Sequence, residues 1–290
     1  AQASQALGAK FNNGELPLYL GKNQPVDMDA FTRAAYLNFA AHRVNRYVWM
    51  PVTPSIAVHI SQDGRVTLET SAYDAAVEFL LARGVTDLRF PVPDGATEWL
   101  FSTIDHGTWT QCHVQTLNAS WTFAKDAKPI PVFVGPSITH ASVNPAFRKA
   151  FEAVNGVIVK HLVAKGWINR TVASFVDEPH FDAGSSELDA TGLNATYQEM
   201  NNFTRFATTT LARMWKELHP DLRLQQTGDD PATIADPDMR ELVDVWVVNN
   251  VPYHNSTVAA SLAQLRRERP SVQVLFYHNS IPIVDLPVIA

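Results

Sequence analysis

Apolar positions along this chain follow two periods: short unbroken runs of four to six residues, and longer stretches in which apolar residues recur every three or four positions. The first run, Leu16 to Leu20, is closed by Gly21. Asp27 to His42 then carries Met28, Phe31, Ala35 and Phe39 at helical spacing, with Asp27 or Asp29 able to cap it. Tyr47 to Met50 reads as a second strand, cut off by Pro51 and Pro54. A hairpin is expected around Asp63-Gly64, after which Ala72 to Arg83 reads as a helix stopped by Gly84 and Asp87 to Val92 as the third strand. From Pro93 to Pro145 no helical period is sustained and Trp, His, Thr and Pro are frequent, which marks an irregular insertion. The regular pattern resumes with a helix from Pro145 to Lys165, capped by Asn144 with proline at its first position, and leads through Gly166 to the strand Thr171 to Val176. A long helix from about Thr196 to Leu218 precedes strands at Leu222 to Gln226, Val243 to Val248 and Val272 to Tyr277, the last two joined by a helix over Val258 to Arg267.

Strands that alternate with helices predict a parallel sheet joined by crossover helices, hence the α/β class. With seven such strands the simplest architecture is a single (β/α)8 barrel of the TIM type over residues 1–290, with its irregular insertion at about 93–145. Beyond the seventh strand and its closing His278 and Asn279 there is only a short tail, Pro282 to Ala290, so the expected barrel is truncated or open there. An open edge needs covering, by an N-terminal strand or a partner chain. A doubly wound sheet is the alternative, although no G-x-G-x-x-G fingerprint is present.

Composition narrows the class. Hydrophobic residues make up 46% and charged ones 18%, a globular balance. A formal net charge of -6 argues against nucleic acid, which needs a basic stripe to neutralise phosphates. The one basic cluster, Arg266, Arg267 and Arg269, sits at the end of a predicted helix, where cations complement exposed carbonyls. No apolar run approaches the ~20 residues that span a bilayer. The sequence opens at Ala1-Gln2-Ala3, as a mature form does after loss of a signal peptide and as an engineered or partial chain also does. Five sequons, at Asn118, Asn169, Asn194, Asn202 and Asn255, exceed the roughly two expected by chance. The expectation is a glycosylated protein of the extracellular space or a lysosome-like compartment. Cys112 is the one cysteine, which excludes an intrachain disulfide.

Candidate chemistry gathers at strand ends, which in a barrel converge on one mouth. Asp177 and Glu178 end the fourth predicted strand, Thr227 and Asp229 the fifth, Asn249 and Asn250 the sixth, and Tyr277, His278 and Asn279 the seventh. Tyr253 lies in the loop after the sixth strand, and Trp246 near that strand's end. A pyranose requires hydrogen-bond partners for its hydroxyls and flat apolar faces for stacking. Asp229, Trp246, Asn249, Asn250, Tyr253, Tyr277 and His278 are accordingly the expected sugar-binding residues, with core packing the alternative for Trp246. Asp177 and Glu178 suit general acid/base work. Successive side chains on a strand point to opposite faces, but Pro179 ends the ladder and biases Glu178 to an extended conformation, so the pair sits where the pleat has relaxed. A solvated strand end is the plain alternative. Asp177, Glu178, His180 and Asp182 lack a recognised metal spacing, and Cys112-His113 fits neither a zinc site nor a Cys-His nucleophile. No metal or cofactor is expected.

His161-Leu-Val-Ala-Lys-Gly-Trp167, followed by Phe175-Val-Asp-Glu-Pro179, resembles the catalytic domain of glycoside hydrolase family 123, which contains β-N-acetylgalactosaminidases. Val243-Asp-Val-Trp246 is similar to that family's sixth-strand motif and Phe276-Tyr-His-Asn279 to its seventh-strand aromatic motif. The resemblance runs from about Leu16 onward, strongest between His161 and Pro179 and faint between Pro93 and Pro145. It implies a retaining hydrolase of terminal β-linked N-acetylgalactosamine, or a related N-acetylhexosamine, in which the sugar's own acetamido oxygen is the nucleophile. Glu178 would then protonate the departing oxygen and later activate water, while Asp177 would hold the acetamido N–H and stabilise the oxazolinium charge. Glu178 must stay protonated near its working pH, which the neighbouring charge of Asp177 promotes. In the family a further strand with an Arg- and Trp-rich stretch follows the seventh; this sequence stops before it. That absence keeps open a second expectation, a catalytically inactive glycan-binding or structural module of an extracellular assembly on the same fold.

Overall fold

Apolar runs become strands and amphipathic runs become helices in the residues that the computed structural model describes, namely 37, 56–60, 65–91, 93–94, 113–114, 130–176, 179–182, 196–228, 230–249 and 256–277. The elements begin with β1 (Ile56–Ile60), β2 (Val66–Glu69), α1 (Ser71–Leu81), β3 (Leu88–Arg89) and β4 (Pro93–Asp94). Short pieces follow: β5 (His113–Val114), β6 (Ile130–Pro131), β7 (Phe133–Val134), a 3-10 turn (Ile138–His140) and β8 (Ser142–Val143). Then come α2 (Pro145–Ala164), a second 3-10 turn (Ile168–Arg170), β9 (Thr171–Ser174), α3 (Tyr197–Leu218) and β10 (Arg223–Thr227). The chain continues through α4 (Pro231–Ala235), α5 (Pro237–Leu242), β11 (Val245–Asn249), α6 (Ser256–Glu268) and β12 (Gln273–Tyr277).

Strands β3, β9, β10, β11 and β12 form one parallel sheet of five, in that spatial order, which makes the protein an α/β protein. All five are strands expected from the apolar runs. Gln225, Gln226 and Thr227 lie beside Val245, Trp246 and Val247, and the whole of β11 lies beside β12 from Val245 opposite Gln273 to Asn249 opposite Tyr277. At the other side Leu88 and Arg89 pair with Thr171 and Val172. The expected elements at Leu16 to Leu20 and Tyr47 to Met50 lie outside the described residues, as does the helix Asp27 to His42 apart from Leu37, which is helical and exposed.

The hairpin expected around Asp63-Gly64 is present as β1 and β2, antiparallel from Ala57 opposite Glu69 to Ile60 opposite Val66, though its turn lies outside the described residues. Within the irregular stretch the described strands are two residues long. Between β7 and β8, Gly135 passes so close to the His140 carbonyl that a Cβ there would meet its oxygen.

The chain groups into two compact units, one of Ala1–Phe101, Val114–Ile130 and Pro145–Val172, the other of Ser102–His113, Pro131–Asn144 and Ala173–Ala290. In the first, α2 buries Phe147, Phe151, Val154, Ile158 and Leu162 at helical spacing, and α1 buries Tyr73, Val77 and Leu80. Helix α2 ends at Ala164 and the chain turns away at Gly166, whose φ of 70° is left-handed and open to glycine without strain. Around that end His161 Nε2 lies 2.7 Å from Asp74 Oδ1 and Lys165 Nζ lies 2.8 Å from Asp74 Oδ2. The Lys165 ammonium also sits 5.1 Å from the centre of the Trp167 ring, which meets His161 and Tyr73 edge to face. The segment His161 to Trp167 therefore fastens the C-terminal end of α2 to α1.

In the second unit α3 opens with a reciprocal cap: Thr196 Oγ1 accepts from the Glu199 amide, and Glu199 returns a bond to the Thr196 N–H at 2.8 Å. Asp244, just ahead of β11, accepts from Lys216 Nζ at 2.8 Å, the Leu224 amide at 2.9 Å and Arg269 at 3.3 Å. Arg266 and Arg267 are exposed on the last turn of α6, as expected. Arg269 instead donates to the carbonyls of Arg240, Glu241 and Val243, so its charge complements the end of α5.

Burial pushes the Asp74 carboxyl upward, but its bonds to Lys165 and His161 outweigh that and hold it below the usual carboxylate range. The same contact with Asp74 raises Lys165. A carboxyl lowered in the folded state adds stability above its unfolded value, about 3.9, and that contribution is lost as pH falls through the lower folded value. Asp74→Asn should cost on the order of 1–3 kcal/mol in urea denaturation at pH 7. The gap to wild type should close as the pH is taken below the folded value; a pH-independent gap would assign the loss to packing alone.

Candidate functional site

All five strands of the sheet run the same way, so the C-terminal ends of β9, β10, β11 and β12 share one edge. Asn249 and Tyr277 close β11 and β12 as register partners, so two expected sugar-binding residues stand side by side in the backbone at that edge. Their side chains lie outside the described residues, as do Asp177, Glu178, Asp229, Asn250, Tyr253 and His278 and the sequons at Asn118, Asn194 and Asn255. Asn169, in the turn before β9, and Asn202, in the second turn of α3, are exposed, as a glycan requires.

Side chains from β10 and α4 hold the residues on either side of the acid pair. Strand β9 ends at Ser174, earlier than the expected Val176, because the carbonyl of Val176 takes its hydrogen bond from the Gln226 side chain of β10 at 2.9 Å. Beyond the pair, the Pro179 carbonyl accepts from Thr233 Oγ1 at 2.8 Å, and the Phe181 amide donates to Asp230 Oδ2 at 2.7 Å. Val176, Pro179 and Phe181 are all buried. Phe181 lies beneath the Arg205 guanidinium at 5.4 Å, and Arg205 in turn meets Asp236 at 3.3 Å.

Asp230 serves two elements. It caps α4, accepting from the amides of Ala232 and Thr233, while the same carboxylate receives the Phe181 amide. The Thr233 hydroxyl lies 2.6 Å from Asp230 Oδ2 and 2.8 Å from the Pro179 carbonyl, so its single proton is shared between two acceptors and draws them together. Pro231 at the first position of α4 fits because that position has no intrahelical acceptor for an N–H. Gly228 precedes this corner with φ 146°, a value that a side chain disfavours, and donates to the Val247 carbonyl of β11 at 3.0 Å. Asp229 stands in the sequence between these two fixed residues.

Trp246 has no exposed surface. As it stands it belongs to the core of the second unit, in register with Gln226 on one side and Val274 on the other. Among the described residues its Nε1 has no hydrogen-bond partner, and neither has Gln226 Oε1: a buried donor and a buried acceptor on register partners. Gln225, also fully buried, has neither end of its amide paired among the described residues.

Gln226, Asp230 and Thr233 were not singled out by sequence reasoning. Asp230-Pro231 does carry a legible signal, a capping acid followed by proline at the first helical position. Compared with protein-family models and with curated proteins, the chain matches none.

Trp246→Ala should cost about 3–5 kcal/mol in urea denaturation, the range for deleting a fully buried aromatic side chain. A loss below about 1 kcal/mol would show that the indole is not part of the core, because substitutions away from packed sites stay within that range.

Proposed function

We propose that the chain is a glycoside hydrolase that removes terminal β-linked N-acetylgalactosamine, or a related N-acetylhexosamine, by substrate-assisted retaining catalysis on a TIM-type barrel. The observation that carries the reading is the buried anchoring of the residues flanking Asp177-Glu178. A solvated strand end has no need of three side chains holding its backbone from inside the fold, whereas an acid/base pair must be held within a fraction of an ångström of its working position. The strand order supports the finer fold. A doubly wound sheet reverses its order at a switch point, while the five strands here follow one another in sequence without reversal, as a barrel requires.

In this reading the sugar lies over the C-terminal edge of the sheet. Glu178 gives its proton to the glycosidic oxygen as the acetamido oxygen attacks the anomeric carbon, so that the leaving group departs with that proton. Asp177 accepts a hydrogen bond from the acetamido N–H, and its charge offsets the positive oxazolinium. Glu178, now a carboxylate, takes a proton from water as that water attacks the same carbon, which restores both the acid and the original configuration. In sequence Asp229, Asn250, Tyr253 and His278 come after β10, β11 and β12, while Asn249 and Tyr277 close β11 and β12; in this reading all six meet the hydroxyls and ring face. No cofactor takes part. Exposed Asn169 and Asn202 fit a secreted glycoprotein.

Release of 4-nitrophenol from paired β-N-acetylgalactosaminide and β-galactoside substrates tests the reading, since only the first carries the internal nucleophile. Cleavage of the N-acetyl substrate alone is expected, and Glu178→Gln should lower it on the order of 10²- to 10⁴-fold with sugar affinity retained. Cleavage of neither substrate, with sugar binding intact, would replace the enzyme by a non-catalytic glycan-binding module.

A further inference from the structure

We propose that Asp230 and Thr233 are positioning residues of this hydrolase, forming a buried clamp that ties Pro179 and Phe181, which follow Asp177 and Glu178 in sequence, to the start of α4, which follows Asp229. The inference rests on the hydrolase reading and adds residues to it. Its basis is that one carboxylate and one hydroxyl bind backbone groups from two separate parts of the chain. Asp230 Oδ2 receives the Phe181 amide at 2.7 Å, the Thr233 amide at 3.0 Å and the Thr233 hydroxyl at 2.6 Å. That hydroxyl also reaches the Pro179 carbonyl at 2.8 Å.

The acid pair begins two residues before Pro179 in sequence, and Asp229 is the immediate neighbour of Asp230. A displacement of the clamp is therefore passed by covalent connection to both sets of acids at once. Gln226 supplies the third anchor, at Val176 on the other side of the pair. Neither Asp230 nor Thr233 is exposed, at 8% and 2%, so neither has surface with which to bind a substrate. Their action on the reaction is through the backbone that they hold. A hydrogen bond in such a water-excluded place resists displacement more strongly than one at the surface. A small shift of an acid/base group away from the reacting bond lowers the chemical step far more than it lowers substrate binding.

The test uses the full chain with Thr233→Val, which keeps the shape and removes the hydroxyl, Thr233→Ser, which restores it, and Asp230→Asn. Each is assayed on 4-nitrophenyl N-acetyl-β-galactosaminide across a pH series, with thermal unfolding and hydrogen exchange at the Phe181 amide measured alongside. Thr233→Val should lower kcat on the order of 10- to 100-fold with KM within about twofold, speed exchange at Phe181, and displace the pH profile of kcat. Asp230→Asn should act in the same direction, and Thr233→Ser should return kcat and exchange toward wild type. Should Thr233→Val fail to fold, Asp230→Asn carries the same comparison. A folded Thr233→Val protein with faster exchange at Phe181 and wild-type kcat would overturn the clamp's catalytic role and leave the hydrolase standing. A fall in kcat without faster exchange would overturn it too, because the hydroxyl would then not be what holds the turn. A wild-type chain that releases no nitrophenol would remove the hydrolase reading and this inference together.

Discussion

A parallel strand can join its neighbour only through a crossover that carries the chain back to where it started, so every strand of a parallel sheet finishes at the same edge. The rest of this structure depends on that constraint. It brings the ends of β9, β10, β11 and β12 into one row and sets Asn249 opposite Tyr277 without any contact between side chains having to specify it. It also leaves a problem at each strand end, where backbone groups pass out of the ladder while still inside the protein and must find other partners.

The two units secure the ends of their elements in different ways. At the end of α2, Lys165 and His161 converge on Asp74 from one helix to another, and the Trp167 ring closes over the ammonium. The tie is made by charge, with an aromatic face supporting it. Beyond β9 the ties are side chain to backbone: Gln226 to Val176, Thr233 to Pro179 and Asp230 to Phe181. This second kind fixes the course of the chain itself.

Much of this was legible in the sequence. Runs such as Val245-Trp-Val-Val and Val274-Leu-Phe have one meaning in an α/β pattern, and both became strands within two residues of the expected ends. Helix α1 begins one residue before the expected start, and α3 begins immediately after the expected Thr196, where the reciprocal cap with Glu199 sets its first turn. Helices α4 and α5, at five and six residues, were not legible, because an amphipathic period needs about two turns to declare itself. Asp230-Pro231 and Asp236-Pro237 mark their starts all the same. The acids of the candidate site were read from residue type and from their place after expected strands, and Asp177, Glu178 and Asp229 lie outside the described residues. The clamp was not: the partners of Gln226 and Thr233 lie 50 and 54 positions away in sequence, and no local pattern marks a side chain that bonds a distant carbonyl.

Connecting segments ordinarily run over the surface, where residues can be added or lost at little cost. The segment after β9 departs from that habit, since Val176, Pro179 and Phe181 are inside and each is tied to a particular partner. What this corner of the molecule must inherit is length. Replacing the exposed Asp182 disturbs none of those ties, whereas inserting or deleting one residue between Pro179 and Phe181, or between Asp230 and Thr233, leaves at least one buried backbone group facing the wrong atom. In this part of the chain, spacing is under tighter constraint than composition.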